Sequence, residues 1–258
     1  MGKFDGFLIC SDIDGTFSGK GDTIPVNKKA IEYFIKEGGK FTFATGRNAD
    51  YLLNSEFHSI INAPACLLNG SIIYDYKEEK VLCEKRLPFS VKDFTQKVAK
   101  YHGSDMSITV YNGWEDSFVS TFTLEDIPDS ILGSTPLKIV CRFSTVKDAD
   151  EFKAFSLNEK LFENCYISKS WSVGVEFNSS EGTKGTAIEF IKNYLRDIHI
   201  AVGIGDYEND IPMLISADLG VSVGNGLDEV KAVSDVVVKR NDEYAVKDLI
   251  EILNEQRK

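Results

Sequence analysis

Phe7-Leu8-Ile9-Cys10-Ser11-Asp12-Ile13-Asp14-Gly15-Thr16 begins as an unbroken apolar run and stops abruptly in two carboxylates, a glycine and hydroxyls. A short continuous apolar run suits a parallel strand covered on both faces. Downstream, a helical pattern runs from Val26 to about Lys36, with Ala30, Ile31, Phe34 and Ile35 on one face, Pro25 before it and Gly38-Gly39 after it. A second strand, Lys40 to Ala44, ends in Thr45-Gly46-Arg47. A helix is expected around Asp50 to Phe57, then a third strand, Ala65 to Leu68, ending in Asn69-Gly70. Such alternation implies a parallel α/β sheet with right-handed crossovers.

The rhythm then changes. Ser71 to Leu87 reads as a hairpin turning at Lys77-Glu78-Glu79, and a helix is expected from about Ser90 to Tyr101. Strand-like runs follow at Ser107–Tyr111, Ser117–Phe122 and Lys138–Phe143, then a helix from about Lys147 to Leu161 capped by Thr145, then strands at Tyr166–Trp171 and Val173–Phe177. Consecutive strands mixed with helices predict an α+β insert with an antiparallel sheet. From Gly185 the strand–helix rhythm returns: a helix Thr186–Leu195, a strand Ile200–Ile204 ending in Gly205-Asp206, a helix about Asn209–Ser216, a strand Leu219–Val223, a short helix, a strand Val236–Lys239 and a last helix about Tyr244–Glu255. The fold expected is a Rossmann-like parallel-sheet core, residues 1–82 and 181–258, split by an α+β cap, residues 83–180.

Composition narrows the function. The chain has 258 residues, 43% hydrophobic and 27% charged, ordinary values for a globular protein. No apolar run approaches the ~18 residues of a membrane helix. Met1 to Asp5 carries one basic residue with no long apolar segment after it, so no secretory leader is expected. The five cysteines (Cys10, Cys66, Cys83, Cys141 and Cys165) are odd in number and widely spaced without a CxxC pair, which argues against a disulfide framework or a zinc site and fits a reducing cytoplasm. The net charge of −11 disfavours nucleic acid as a partner. It would equally repel a phosphorylated metabolite unless a local cation and focused N–H donors override it.

Four segments lie just past the carboxyl ends of expected parallel strands: Asp12/Asp14, Thr45-Gly46-Arg47, Asn69-Gly70, and Gly205-Asp206 through Asp210. Ligand crevices in open α/β sheets lie outside those ends, so segments distant in sequence can converge there. Ionising Asp12 and Asp14 together is costly, and Mg²⁺ with oxygen ligands relieves the cost; a solvated turn or helix cap is the plain alternative. An EF-hand does not fit, because Thr16 and Phe17 stand where that loop needs Asp/Asn and Gly. Asp206 and Asp210 have the spacing to face one metal from a loop-to-helix turn, with N-capping by Asp206 as the alternative. Gly203-Ile204-Gly205 resembles part of a dinucleotide fingerprint, but Glu208 replaces the third glycine. Thr45 and backbone N–H groups at a strand-to-helix junction can hold a phosphate or simply cap the helix. Lys184 opens a helix, where the dipole disfavours a cation, so it asks for an anion nearby or lies solvated on the surface.

Taken together and in order, Asp12-Ile13-Asp14-Gly15-Thr16, Thr45, Lys184 and Gly205-Asp206-Tyr207-Glu208-Asn209-Asp210 resemble the four motifs of the haloacid dehalogenase superfamily of phosphohydrolases. Ala44-Thr45-Gly46-Arg47, Asn69-Gly70, Lys184-Gly185 and Gly220 to Asn225, with an insert between the second and third motifs, look like its Cof-type subgroup; Ser71 and Phe17 are mild departures from that pattern. The resemblance implies attack on phosphorus by Asp12 and an aspartyl-phosphate, with Asp14 as general acid and then base. It implies Mg²⁺ held by Asp12, the Asp14 carbonyl, Asp206 and Asp210. Thr45, Gly46, Lys184 and Asn209 are implied phosphate ligands, and the substrate a small phosphorylated metabolite, a sugar phosphate in this subgroup. Trp114, Arg142, Lys169, Trp171 and Glu176 are the cap residues expected as candidates to face the cleft. A sugar-phosphate mutase is the first alternative, disfavoured by the position of the cap. A metal–nucleotide glycosyltransferase has no use for Lys184 and the Asp206–Asp210 cluster. A non-catalytic binding module has no reason to keep all the reactive groups.

Overall fold

A computed structural model describes residues 2–101 and 104–255; Met1, where the leader reading begins, lies outside them. The strands in chain order are β1 Phe7–Ser11, β2 Lys40–Phe43, β3 Ala65–Leu67, β4 Ile72–Asp75, β5 Lys80–Glu84, β6 Ser107–Tyr111, β7 Val119–Phe122, β8 Lys138–Arg142, β9 Cys165–Ser168, β10 Gly174–Ser179, β11 Ile200–Gly205, β12 Leu219–Ser222 and β13 Val236–Val237. β13-β12-β11-β1-β2 form a parallel sheet with β1 at its interior.

Period-two alternation along β1 builds the layers on both sides. Phe7 and Ile9 enter one apolar cluster with Ile31 and Phe34 of the helix Thr23–Lys36 and Leu249 and Leu253 of the helix Ala245–Glu255. Leu8 and Cys10 enter another with Ile188 and Ile191 of the helix Lys184–Leu195 and Met213 and Leu214 of the helix Ile211–Ser216. Both faces of β1 are therefore dry, which is why its sequence reads as an unbroken apolar run. Phe17, Phe41, Phe43 and Phe57 add an aromatic knot beneath the site, with edge-on pairs at 5.1 Å (Phe17–Phe43) and 4.9 Å (Phe41–Phe43).

β7-β6-β8-β10-β9 form a second, antiparallel sheet. Its apolar face, including Ile108, Val110, Ile139, Cys141, Val175 and Phe177, packs against Phe94 of the helix Val91–Lys97 and Phe152 of the helix Val146–Leu157. Lys138, Val140, Arg142 and Glu176 occupy the alternate positions and face the other way.

Several boundaries differ from expectation. The first helix starts at Thr23, taking Pro25 into its first turn, where a missing N–H leaves no bond unmade. The expected helices at 50–57, 90–101 and 147–161 stop early, at Leu53, Lys97 and Leu157, each followed by a 3₁₀ turn. β3 joins the parallel sheet only through a bridge between Ala44 and Cys66, and its ladder partner is β4 in an antiparallel three-stranded sheet with β5. All five cysteines stand on strands as free thiols, but Cys83 and Cys165 are only half-buried, because they lie toward sheet margins. No helix among the described residues is long and apolar enough to cross a membrane.

Candidate active site

β1 ends at Ser11, and the ladder runs one residue further: the Asp12 N–H donates to the Ile204 carbonyl at 2.9 Å. Asp12 is thereby fixed at the strand's carboxyl end, only 6% exposed. One carboxylate oxygen from each of Asp12, Asp206 and Asp210 lies within 4.8 Å of the others. Gly15, at φ +89°, lets the loop after β1 pass close to Asp206: a Cβ there would meet the Asp206 carboxylate at 2.3 Å. The Thr16 hydroxyl donates to Asp206 Oδ1 at 2.9 Å. The alternative reading of Asp206 as the cap does not hold: Asp210 is the acceptor at this turn, its Oδ2 taking the N–H groups of Asp206 (2.9 Å) and Tyr207 (3.1 Å).

Lys184 is fully buried. Thr183 caps its helix, and the Lys184 ammonium reaches Asp12 Oδ1 at 2.7 Å and Asp210 Oδ1 at 2.6 Å. The cation at an unfavourable helix end is explained by two carboxylates, and the surface reading is excluded. Burial opposes the charge on Lys184, yet Asp12 and Asp210 outweigh it and hold the ammonium protonated. Burial raises the Asp12 carboxyl well above the ordinary range, against the pull of Lys184. Burial, reinforced by Asp210, pushes Asp206 up to about 7. Three carboxylates sharing one ammonium are short of positive charge, and oxygen donors grouped in this way match the preference of a hard divalent cation such as Mg²⁺. The residues present fit that ion.

Asp14 is brought to the site, but its exposed side chain turns to Arg47, which donates to both of its oxygens at 3.0 and 3.2 Å. Thr45 is buried, its hydroxyl accepting from the Arg47 N–H at 3.2 Å. Asn209 donates to Asn69 Oδ1 at 3.2 Å, and its own Oδ1 is buried without a partner among the described residues. A cavity of about 470 Å³ opens above these groups, and its lining includes Asp12, Asp14, Gly46, Arg47, Asp206 and Asn209.

The roof comes from the polar face of the antiparallel sheet. Of the expected candidates, Arg142, Trp171 and Glu176 line the cavity. Trp114 and Lys169 do not: Trp114 packs on Tyr74 at a ring distance of 5.0 Å, and Lys169 pairs with Asp150 at 2.6 Å. Sequence reasoning missed Lys138 and Tyr111. Lys138 is 1% exposed, pairs with Glu176 Oε1 at 2.8 Å and donates to the Gly46 carbonyl at 3.3 Å. Burial lowers its pKa despite Glu176. The two cations Lys138 and Arg142, four positions apart on one strand, were the available signal, since positions of even spacing share a face. Glu176 also accepts from the Asn69 amide at 2.6 Å, tying the roof to the floor. A second tie forms at Glu208, whose carboxylate meets the Lys153 ammonium and the Lys169 N–H (3.0 Å) and whose carbonyl accepts from the Tyr166 hydroxyl (2.8 Å).

Comparison with known proteins places this geometry. The sequence model of a family described as haloacid dehalogenase-like hydrolase matches residues 9–250. The chain is 24% identical to the phosphoglycolate phosphatase of Sulfurisphaera tokodaii, over 96% of this chain and 95% of that one. It is 23% identical to a chloroplastic endoribonuclease YBEY of Arabidopsis thaliana, over 95% of this chain, but spans only 46% of that relative's length. Among solved structures, a sugar phosphatase of haloacid dehalogenase subclass IIB shares the fold with a TM-score of 0.79 at 20% identity, covering 96% of this chain and 98% of the other. With Asp12, Thr45 and Asp206 at the carboxyl ends of the parallel strands and Lys184 brought against them, the chain belongs to the haloacid dehalogenase-like hydrolases.

Proposed function

We propose that the protein is a Mg²⁺-dependent phosphomonoesterase of the cytoplasm, acting on a small phosphorylated metabolite of the sugar-phosphate class. The observation that carries this reading is Lys184 bridging Asp12 and Asp210 beside Asp206, at the floor of the cavity. Asp12, Asp206 and Asp210, with the Asp14 carbonyl, are the groups that would hold Mg²⁺; when bound, the ion supplies charge stabilisation for the phosphoryl oxygens. Asp12 attacks phosphorus: an Asp12 O–P bond forms and the P–O bond to the leaving group breaks. Lys184 holds one Asp12 oxygen and so orients the other. Asp14 gives its proton to the leaving oxygen, then takes one from the water that hydrolyses the aspartyl-phosphate. For the first of these steps Asp14 must leave Arg47. Gly46, Asn209, Lys184 and Thr45 are the proposed phosphate-binding set, Thr45 acting from beneath because it is buried.

Residues 83–180 are assigned as the cap and 1–82 with 181–258 as the core. The cap excludes water and reads the part of the substrate beyond the phosphate. Phosphate release from sugar phosphates, nucleotides and an aryl phosphate, each with Mg²⁺ and with a chelator, is the test. Release that needs Mg²⁺ supports the assignment. Release indifferent to chelator, or none at all from the panel, counts against it.

A further inference from the structure

The cations around the cavity are matched with carboxylates, with one exception. Arg47 meets Asp14 at 3.0 Å, Lys138 meets Glu176 at 2.8 Å, and beneath them Lys184 meets Asp12 at 2.7 Å. Arg142 lines the same cavity and is exposed, and among the described residues its guanidinium has no ion pair, hydrogen bond or aromatic stack. Its place in β8 is set by the strand. Lys138, Val140 and Arg142 alternate onto the cavity face while Ile139 and Cys141 enter the core of the second sheet. Lys138 sits at the phosphate end, 3.3 Å from the Gly46 carbonyl. Four residues of strand, about 13 Å, carry Arg142 to the other end. There Gly174 is its register partner, and the Trp171 ring lies on Gly174, so close that a Cβ would meet the ring at 2.2 Å. An unmatched guanidinium thus stands beside an aromatic wall, in a chain whose net charge is −11.

On the basis of the phosphatase reading above, we propose that Arg142 is the subsite for a second anionic group of the substrate, carried at the end remote from the phosphate that is removed. The substrate is then a phosphorylated metabolite with a carboxylate or a second phosphate at its far end. A guanidinium recognises either anion through two parallel N–H···O bonds, and a concave aromatic border limits the water that otherwise weakens such a pair. A solvated arginine at a cleft mouth is the competing explanation.

The test is equilibrium binding by calorimetry, with Mg²⁺ and in an Asp12→Asn background so that no ligand is turned over. The ligands are a sugar monophosphate, the corresponding bisphosphate and a phosphorylated sugar acid. At least one of the two doubly anionic ligands is expected to bind more tightly than the monophosphate, and which one does identifies the anion. Arg142→Gln is expected to weaken that ligand about 10- to 100-fold while moving the monophosphate less than about twofold, with Arg142→Lys in between. Equal effects on all three ligands, or none on any, overturn the proposal. Phosphate release by the unmodified protein, measured in parallel, reads the phosphatase assignment separately: no release with the Arg142 discrimination intact sinks that assignment and leaves the anion subsite standing.

Discussion

Lys184 and Asp12 lie 172 positions apart in the chain, yet the Lys184 ammonium stands 2.7 Å from Asp12 Oδ1, with no measurable exposure of the lysine. This contact brings a helix N-terminus after the second sheet against the end of the first strand. It also makes the charge of Asp12, the proposed nucleophile, depend on a residue from the far half of the chain.

Asp12→Asn keeps the shape of the side chain and removes the charge of the oxygen proposed to attack. Turnover should fall by a factor of about 10³ or more, while Lys184 retains Asp210 at 2.6 Å and the fold survives. Phosphate release and thermal unfolding, measured on the same preparation, check both halves. Unfolding of the variant, or activity near that of the unmodified protein, removes Asp12 from the nucleophile role.

Lys184→Ala should cost activity at least ~100-fold and also destabilise the protein, by about 3–5 kcal/mol, because Asp12 and Asp210 lose the cation between them. Lys77→Ala, at an exposed hairpin turn, serves as the control and should change neither quantity. Similar losses in the two variants would mean that the buried bridge has no special part in the chemistry.

Mg²⁺ should raise the unfolding temperature of the protein, since a ligand that binds only the folded state stabilises it by mass action, about 2.7 kcal/mol at a hundredfold excess over Kd. Asp206 and Asp210 converge with Asp12 only in the folded chain. In Asp206→Ala the shift should shrink or vanish. An equal shift in that variant places the metal elsewhere.

Phe177→Ala tests the second core. Phe177 is fully buried, with ring distances of 5.0 Å to Phe162 and 5.3 Å to Phe94. The cavity left behind should cost about 3–5 kcal/mol, read by denaturant unfolding. A loss below about 1 kcal/mol, the range typical of surface changes, would mean that the antiparallel sheet does not depend on this packing.

The fold class and the convergence of most candidate site residues were legible in the sequence, because both follow from local rules. The run Phe7–Cys10 is apolar at every position since both faces of β1 are covered, and a reader of the chain sees that directly. Asp12, Thr45 and Asp206 follow strand ends of the parallel sheet, which share one edge, so their convergence could be foreseen without coordinates. Lys184 could be singled out as a cation at the wrong end of a helix.

The roof of the cavity could not be read in this way. Lys138 looks like any polar residue opening an amphipathic strand, and Trp114 looks as suitable for a cleft as Trp171. The face of the antiparallel sheet that turns toward Asp12 is set by how that sheet docks on the core, through contacts such as Glu176 with Asn69 and Lys138 with the Gly46 carbonyl. Those contacts join residues about a hundred positions apart and leave no periodic trace. The residues of the proposed phosphate chemistry thus sit in short motifs readable along the chain, whereas the choice of Lys138, Arg142, Trp171 and Glu176 to face them arises from packing between two separately patterned sheets. Alternation within a strand tells which side chains share a face, and only docking tells what that face meets.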